Sequence, residues 1–291
     1  MEKLYVYDEK YEKARGMDSK LAENSAQIGE IISLKGKTAI VTGGARGLGF
    51  HIVNRLCEAG ASVMIVDIAL EFADDAVEYF TSKGYNVKFV EADVRFTDQI
   101  NDAVKTTITE FGKIDILVNN AAIWRMNRFL DMTEETWDDT IDTDLKGSVF
   151  FCQAVAKEMV KQEIKGKIVN VASVAGLAME TPYGFLAQYS AAKGGLVSVS
   201  QSLARELKPL GITINCVLPG GMTTPGAIHT EGVDGSMYSE MQKYRPVPNT
   251  FGGDEVARVV YMMCTDIAAF MQGATVVADG GARLMIPADA Q

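Results

Sequence analysis

Histidine occurs only twice and cysteine four times in the 291 residues. Two imidazoles are too few for a typical zinc site, and Cys57, Cys152, Cys216 and Cys264 lack metal-ligand or redox spacing. They are expected as small buried hydrophobes in a reducing compartment, with no metal bound. Basic charge is also in short supply: 28 Lys and Arg face 38 Asp and Glu, for a net charge of −10. No basic cluster exists to neutralise a run of phosphates, which argues against nucleic acid as a partner. Long apolar runs are missing too, and the charged opening MEKLYVYDEKYEKARGMDSK has no apolar signal-peptide core. A cytoplasmic protein with no membrane partner is therefore expected. No internal repeat or low-complexity tract interrupts the chain.

Hydrophobic residues make up 47% of the sequence, enough to bury the core of one α/β domain with a modest extension. From Gly36 onward, short Val/Ile-rich runs alternate with longer amphipathic segments. The runs are KTAIVT (37–42), ASVMIVD (61–67), NVKFVEA (86–92), DILVNNA (115–121), GKIVNVAS (166–173), GITINCVLPG (211–220) and ATVVADGG (274–281), the last after a helical segment near 254–265. This alternation predicts a single doubly wound α/β domain, a parallel sheet with helices on both faces. Two stretches fall outside the pattern. Residues 1–34 form an N-terminal extension to the domain at 35–291, and the Gly/Pro-bearing segment at about 223–250 has the length of a substrate lid.

TGGARGLG (42–49) follows the first strand and opens a helix, the context of a dinucleotide fingerprint. Gly43, Gly47 and Gly49 would allow the tight turn, the approach to pyrophosphate and helix–strand packing; Arg46 and Leu48 share that turn. Asp67 ends the second strand, where a carboxylate can accept both adenosine ribose hydroxyls and repel a 2′-phosphate. That favours NAD(H), although the Arg46 guanidinium offers a phosphate partner. Further on, Ser173 stands in IVNVASVAG, and Tyr189 and Lys193 stand four apart in QYSAAKGG, on one helical face. A neighbouring cation lowers a phenol from its usual pKa of about 10, which suits Tyr189 to proton transfer alongside a hydride.

With these motifs in this order, the chain resembles the short-chain dehydrogenases/reductases from about Lys35 to Gly281. The resemblance implies strand order 3-2-1-4-5-6-7, usual assembly as a homotetramer, and catalysis by Ser173, Tyr189 and Lys193. Ser173 would hold the substrate oxygen, Tyr189 exchange the proton, and Lys193 lower the Tyr189 pKa and bond the nicotinamide ribose. It also places adenine contacts at Asp93 and Val94, the NNAG motif at Asn119 to Ala122 with Asn119 and Ala121 at the cofactor, and the PG motif at Pro219 and Gly220. Met222 and Thr224 follow as cofactor contacts. The family's catalytic Asn falls on Asp144, which if ionised would oppose Lys193 at the phenol. Ala122 replaces a glycine, and the interval from Ser173 to Tyr189 is longer than is common. Tyr183 in that loop is a rival acid, but Ala187 rather than a lysine follows it by four.

The expected substrate is bulky and apolar, since Ile123, Trp124, Met126, Met179, Phe185, Met222, Ile228, Met237, Tyr238 and Met241 are candidate pocket walls. The glycine turn, strand-end Asp and IVNVASVAGLA most resemble bacterial NAD-dependent hydroxysteroid dehydrogenases of the 3α/20β type, favouring a 20β-hydroxysteroid. A sugar, polyol or acyl thioester is the alternative, with Lys243, Arg245 and His229 as possible phosphate partners. A non-catalytic dinucleotide sensor is the alternative outside enzymes. The apolar Ile28, Ile31, Ile32 and Leu34 suggest that the extension lies along a neighbouring subunit.

Overall fold

The structure is a computed structural model that describes residues 25–177, 184–222 and 252–281. The first 24 residues, the loop at 178–183 and the expected lid lie outside the described residues. Seven strands form one sheet: β1 (Thr38–Thr42), β2 (Ser62–Asp67), β3 (Val87–Glu91), β4 (Ile116–Asn119), β5 (Lys167–Val171), β6 (Thr213–Pro219) and β7 (Thr275–Ala278). Their order is β3-β2-β1-β4-β5-β6-β7 and every pairing is parallel, the topology expected.

Eight α-helices accompany them among the described residues: α1 (Ile28–Ile31), α2 (Gly47–Glu58), α3 (Leu70–Ser82), α4 (Thr97–Phe111), α5 (Glu134–Ile141), α6 (Ser148–Lys161), α7 (Ala187–Leu207) and α8 (Gly253–Cys264). Strand alternation sorts the core into two layers. Ala39, Val41, Val63, Ile65 and Val118 face Ile52, Val53 and Leu56 of α2, Phe80 of α3, and Val256 and Val260 of α8. Ile40, Met64, Leu117, Ile168 and Ile214 face Ile100 and Val104 of α4, Phe151 and Val155 of α6, and Ala204 and Leu207 of α7. Central strands covered on both sides must be apolar throughout, which is why their runs read as continuous Val/Ile.

Several strands stop short of the runs that announced them, because polar and glycine residues at the carboxyl ends leave the ladder. Those ends, at Asp67, Asn119 and Pro219, open toward one crevice, the usual ligand position in such a sheet. All four cysteines are buried and unpaired. No described helix is long and apolar enough to cross a membrane.

The end of the N-terminal extension is bound to the domain itself. Leu34 is 2% exposed in the α2/α8 core, its N–H donates to the Ala59 carbonyl at 2.8 Å, and the Tyr261 hydroxyl donates to the Ile32 carbonyl. Ile28 is exposed. Of the apolar stretch expected to cover a neighbour, Leu34 is thus core to its own subunit.

Candidate active site

At the end of β1 the chain turns on Gly43 (φ +63°) and enters α2 through Gly47 (φ +57°), left-handed conformations that strain any side chain. Gly49 has a different reason: a Cβ there would lie 1.9 Å from the Gly43 carbonyl oxygen, so the helix can start this close to the turn only without a side chain. The Asp67 carboxylate accepts the N–H of Ala45 at 3.0 Å and of Ala69 at 3.1 Å, which ties the end of β2 to the turn. Arg46 lies 4.9 Å from the centre of the Phe72 ring, a cation–π contact beside Asp67.

Of the residues expected at the cofactor, Gly43, Arg46, Gly47, Leu48, Gly49, Asp67, Asp93, Val94, Ala121, Tyr189, Lys193, Pro219, Gly220 and Met222 border one cleft of about 430 Å³. Thr224 lies outside the described residues. Asn119 is a correction. It shares the side of β4 with Leu117, so its amide turns into the core and donates to the Ser148 carbonyl (3.1 Å) and Asn170 Oδ1 (2.8 Å). Asn120 borders the cleft instead, held by its N–H on Thr42 Oγ1 (2.9 Å) and its amide on the Thr42 and Gly43 carbonyls (3.0 Å each). Thr42 was not foreseen; its hydroxyl also accepts the Ala121 N–H at 3.0 Å.

Ser173, Tyr189 and Lys193 border the same cleft. Ser173 follows β5 and caps a 3-10 turn (Val174–Gly176), its Oγ accepting the Ala175 N–H at 3.2 Å. A Cβ at Gly176 would sit 2.6 Å from the Gly194 nitrogen and 2.7 Å from the Lys193 carbonyl carbon. Only glycine lets this turn press against α7, which brings Ser173 to the face carrying Tyr189 and Lys193. On that face, Lys193 Nζ lies 5.6 Å from the centre of the Tyr189 ring and donates to the Val171 carbonyl at 3.3 Å.

Asp144 lies in a π-helical turn (Asp142–Gly147) between α5 and α6. The turn packs on the loop after β3, where a Cβ at Gly147 would lie 2.6 Å from the Val94 carbonyl oxygen. One Asp144 oxygen accepts the Ile123 N–H at 2.8 Å; the other lies 3.3 Å from Lys193 Nζ. The ammonium carries three N–H donors, so the bond to the Val171 carbonyl leaves Lys193 free to pair with Asp144 as well. Both side chains are closed to solvent, at 2% and 0% exposure. Burial pushes the Asp144 carboxyl above its ordinary range, against the pull of Lys193 and the Ile123 N–H. For Lys193, burial works against the charge, but the Asp144 carboxylate and the Tyr189 oxygen in its ionised form outweigh it and raise its pKa.

Paired charges also border the cleft. Asp139 bridges Arg95 (2.9 Å) and Arg125 (2.8 Å), and Arg95 chelates Asp93 through Nε and Nη2. Burial opposes charge on Asp93, yet the Arg95 bonds prevail and lower its pKa. The Arg95–Asp139–Arg125 bridge was not anticipated, since its members come from separate elements. Of the expected apolar walls, Ile123 and Met222 border the cleft, while Met126 is only 1% exposed and packs with Trp124, Phe185 and Leu186 against Tyr189. Met126 supports the wall from beneath. Met179, Tyr183, Ile228, Met237, Tyr238, Met241, His229, Lys243 and Arg245 lie outside the described residues.

The family profile described as Enoyl-(Acyl carrier protein) reductase matches residues 43–283. The chain is 35% identical over 253 residues to the 3-oxoacyl-(acyl-carrier-protein) reductase FabG of Chlamydia pneumoniae, covering 86% of this chain and 98% of that one. Among solved structures, gox2181 superposes with a TM-score of 0.80 at 36% identity, covering 88% of this chain and 99% of its own. A short-chain dehydrogenase from Burkholderia cenocepacia, solved in complex with NADP, superposes with a TM-score of 0.76 at 31% identity, covering 86% of this chain and 98% of its own.

Proposed function

The chain belongs to the short-chain dehydrogenase/reductase family of nicotinamide-dependent oxidoreductases, and on that premise we propose that it reduces the ketone of a 3-oxoacyl thioester to an alcohol, with NADH as the preferred reductant. The observation that carries the reaction is that Ser173, Tyr189 and Lys193 border the same cleft as the Gly43–Gly49 turn. The substrate class rests on the likeness to 3-oxoacyl-(acyl-carrier-protein) reductases such as that of Chlamydia pneumoniae.

The cleft suits a dinucleotide. Gly43 and Gly49 bring bare backbone to the α2 N-terminus, where a pyrophosphate is favoured. The Asp67 carboxylate stands at the ribose end and disfavours a 2′-phosphate, which is the basis for NADH; the NADP in the Burkholderia relative is the opposing precedent. Bound there, the reduced nicotinamide supplies the hydride. Ser173 Oγ then donates to the ketone oxygen as charge builds on it, and the Tyr189 hydroxyl gives that oxygen its proton. Lys193 holds positive charge beside the phenol and offers N–H donors to the ribose.

A bulky apolar ketone, a steroid among them, is the second reading, favoured by the Trp124, Met126, Phe185 and Leu186 cluster behind Tyr189. Loss of nicotinamide absorbance on mixing the purified protein with NADH or NADPH separates the possibilities. The substrates are a 3-oxoacyl thioester, cortisol, a keto bile acid and a keto sugar. Thioester turnover with NADH is the expected result. Turnover of the steroid alone reverses the order of the two readings, and binding of NADH without turnover of any ketone assigns a sensor. We also place the protein as a homotetramer of 31.5 kDa chains, which its mass in solution tests.

A further inference from the structure

We propose that Asp144 is the buried counter-ion of Lys193, a positioning residue that offsets the cation and keeps the Tyr189 phenol protonated to higher pH than Lys193 alone would allow. The inference rests on the proposed reaction, in which Tyr189 is the proton donor. Reduction needs the phenol, so a carboxylate behind the lysine extends the pH range over which the donor exists.

The geometry leaves Asp144 little else to do. Its Oδ1 is anchored on the Ile123 N–H at 2.8 Å, on the loop that follows β4, and its Oδ2 stands 3.3 Å from Lys193 Nζ. The wider π-helical backbone carries it, and Gly195 lets α7 approach, since a Cβ there would lie 3.0 Å from the neighbouring Leu145 side chain. The Asp144 carboxylate, 3.3 Å from Lys193 Nζ, offsets part of the field that the cation exerts on a ring 5.6 Å away, whereas an amide at position 144 would leave the whole Lys193 charge acting on Tyr189.

No other described group takes over this part. Cys216 on β6 faces Lys193, but burial pushes its thiol to about 11 and it stays uncharged. On α6, burial pushes Cys152 to about 12. Asp142 and Lys146, in the same π-helical turn, pair with each other at 2.9 Å, and Asp139 on α5 is shared by Arg95 and Arg125. The other polar groups nearby, Ser173 and Asn170, do not titrate.

Ultraviolet difference titration of phenolate in the cofactor-free protein tests the inference without turnover. The step lost in Tyr189→Phe belongs to Tyr189. In Asp144→Asn that step is expected about one to two pH units lower than in the native chain, and the alkaline limb of ketone reduction should move with it. Coincident midpoints overturn the inference, whether activity survives or not. Asp144→Ser, also neutral, repeats the comparison if the amide variant fails to fold. Absence of turnover by the native enzyme would sink the proposed reaction while leaving the titration to decide about Asp144.

Discussion

Asp67 Oδ2 accepts the backbone N–H of Ala45 at 3.0 Å, so the residue that would read the cofactor ribose also holds the glycine turn. A dianionic 2′-phosphate brought against this carboxylate would meet repulsion that Arg46, already stacked on Phe72, offsets only in part. Asp67→Ala is therefore expected to weaken NADH binding and to move the NADPH-to-NADH preference toward NADPH by about 10- to 100-fold. Fluorescence titration with both cofactors checks this, and an unchanged ratio would show that Asp67 does not read the ribose.

Removing one hydroxyl isolates the proton path. Tyr189→Phe keeps the ring against the Met126 and Leu186 cluster and leaves the glycine turn untouched, so NADH affinity should hold while kcat falls by about 10²- to 10⁴-fold. Tyr183→Phe is the control, because that phenol is the competing acid in the sequence. If the Tyr183 variant loses activity and the Tyr189 variant keeps it, the acid is reassigned.

The features legible in the sequence are those that a short stretch of chain determines by itself. The Val/Ile runs reveal the sheet because burial on both faces forbids polar residues, and TGGARGLG reveals its turn because only glycine tolerates that backbone. Asn119 and Asn120 could not be told apart in the same way. Which one meets the cleft depends on where β4 ends and which side of the sheet Leu117 faces. Gly176 was overlooked because its purpose is contact with Gly194, and the Arg95–Asp139–Arg125 bridge because its members lie on different elements. The steroid expectation grew from motifs at the cofactor end, whose chemistry is shared across substrates and says little about the substrate half.

The amide that misled the sequence reading has a structural task. Asn119 donates to Asn170 Oδ1, Asn170 donates to Ser200 Oγ at 2.8 Å, and Ser200 donates to the Leu196 carbonyl at 2.6 Å. The chain stitches β4 and β5 to α7, the helix that carries Tyr189 and Lys193. Asn170→Leu keeps the branched outline of the side chain but strips a buried amide of its acceptor, which should cost about 2–3 kcal/mol and lower Tm by about 4–10 °C. NADH affinity at low temperature should change little. Calorimetry showing an unaltered Tm would mean that the three polar groups contribute nothing to holding α7.

At the opposite face, Arg55 of α2 grips Asp254 in the first turn of α8 with two bonds of 2.7 Å. The Arg55 hydrogen bonds, helped by Arg258, bring the Asp254 carboxyl down from 3.8 to about 2, despite its partial burial. A depressed carboxyl contributes its stability fully above pH 3.8, where both folded and unfolded forms are ionised. As pH falls toward about 2 the unfolded chain takes up the proton first, and the contribution drains away. Both side chains are partly exposed, so after solvent screening the pair should be worth about 1 kcal/mol. Asp254→Asn is thus expected to be less stable than the native chain by that amount at neutral pH, with about half of the gap gone by pH 3. Urea unfolding across this range decides the matter, since a gap that stays constant with pH would remove the ion pair as its source.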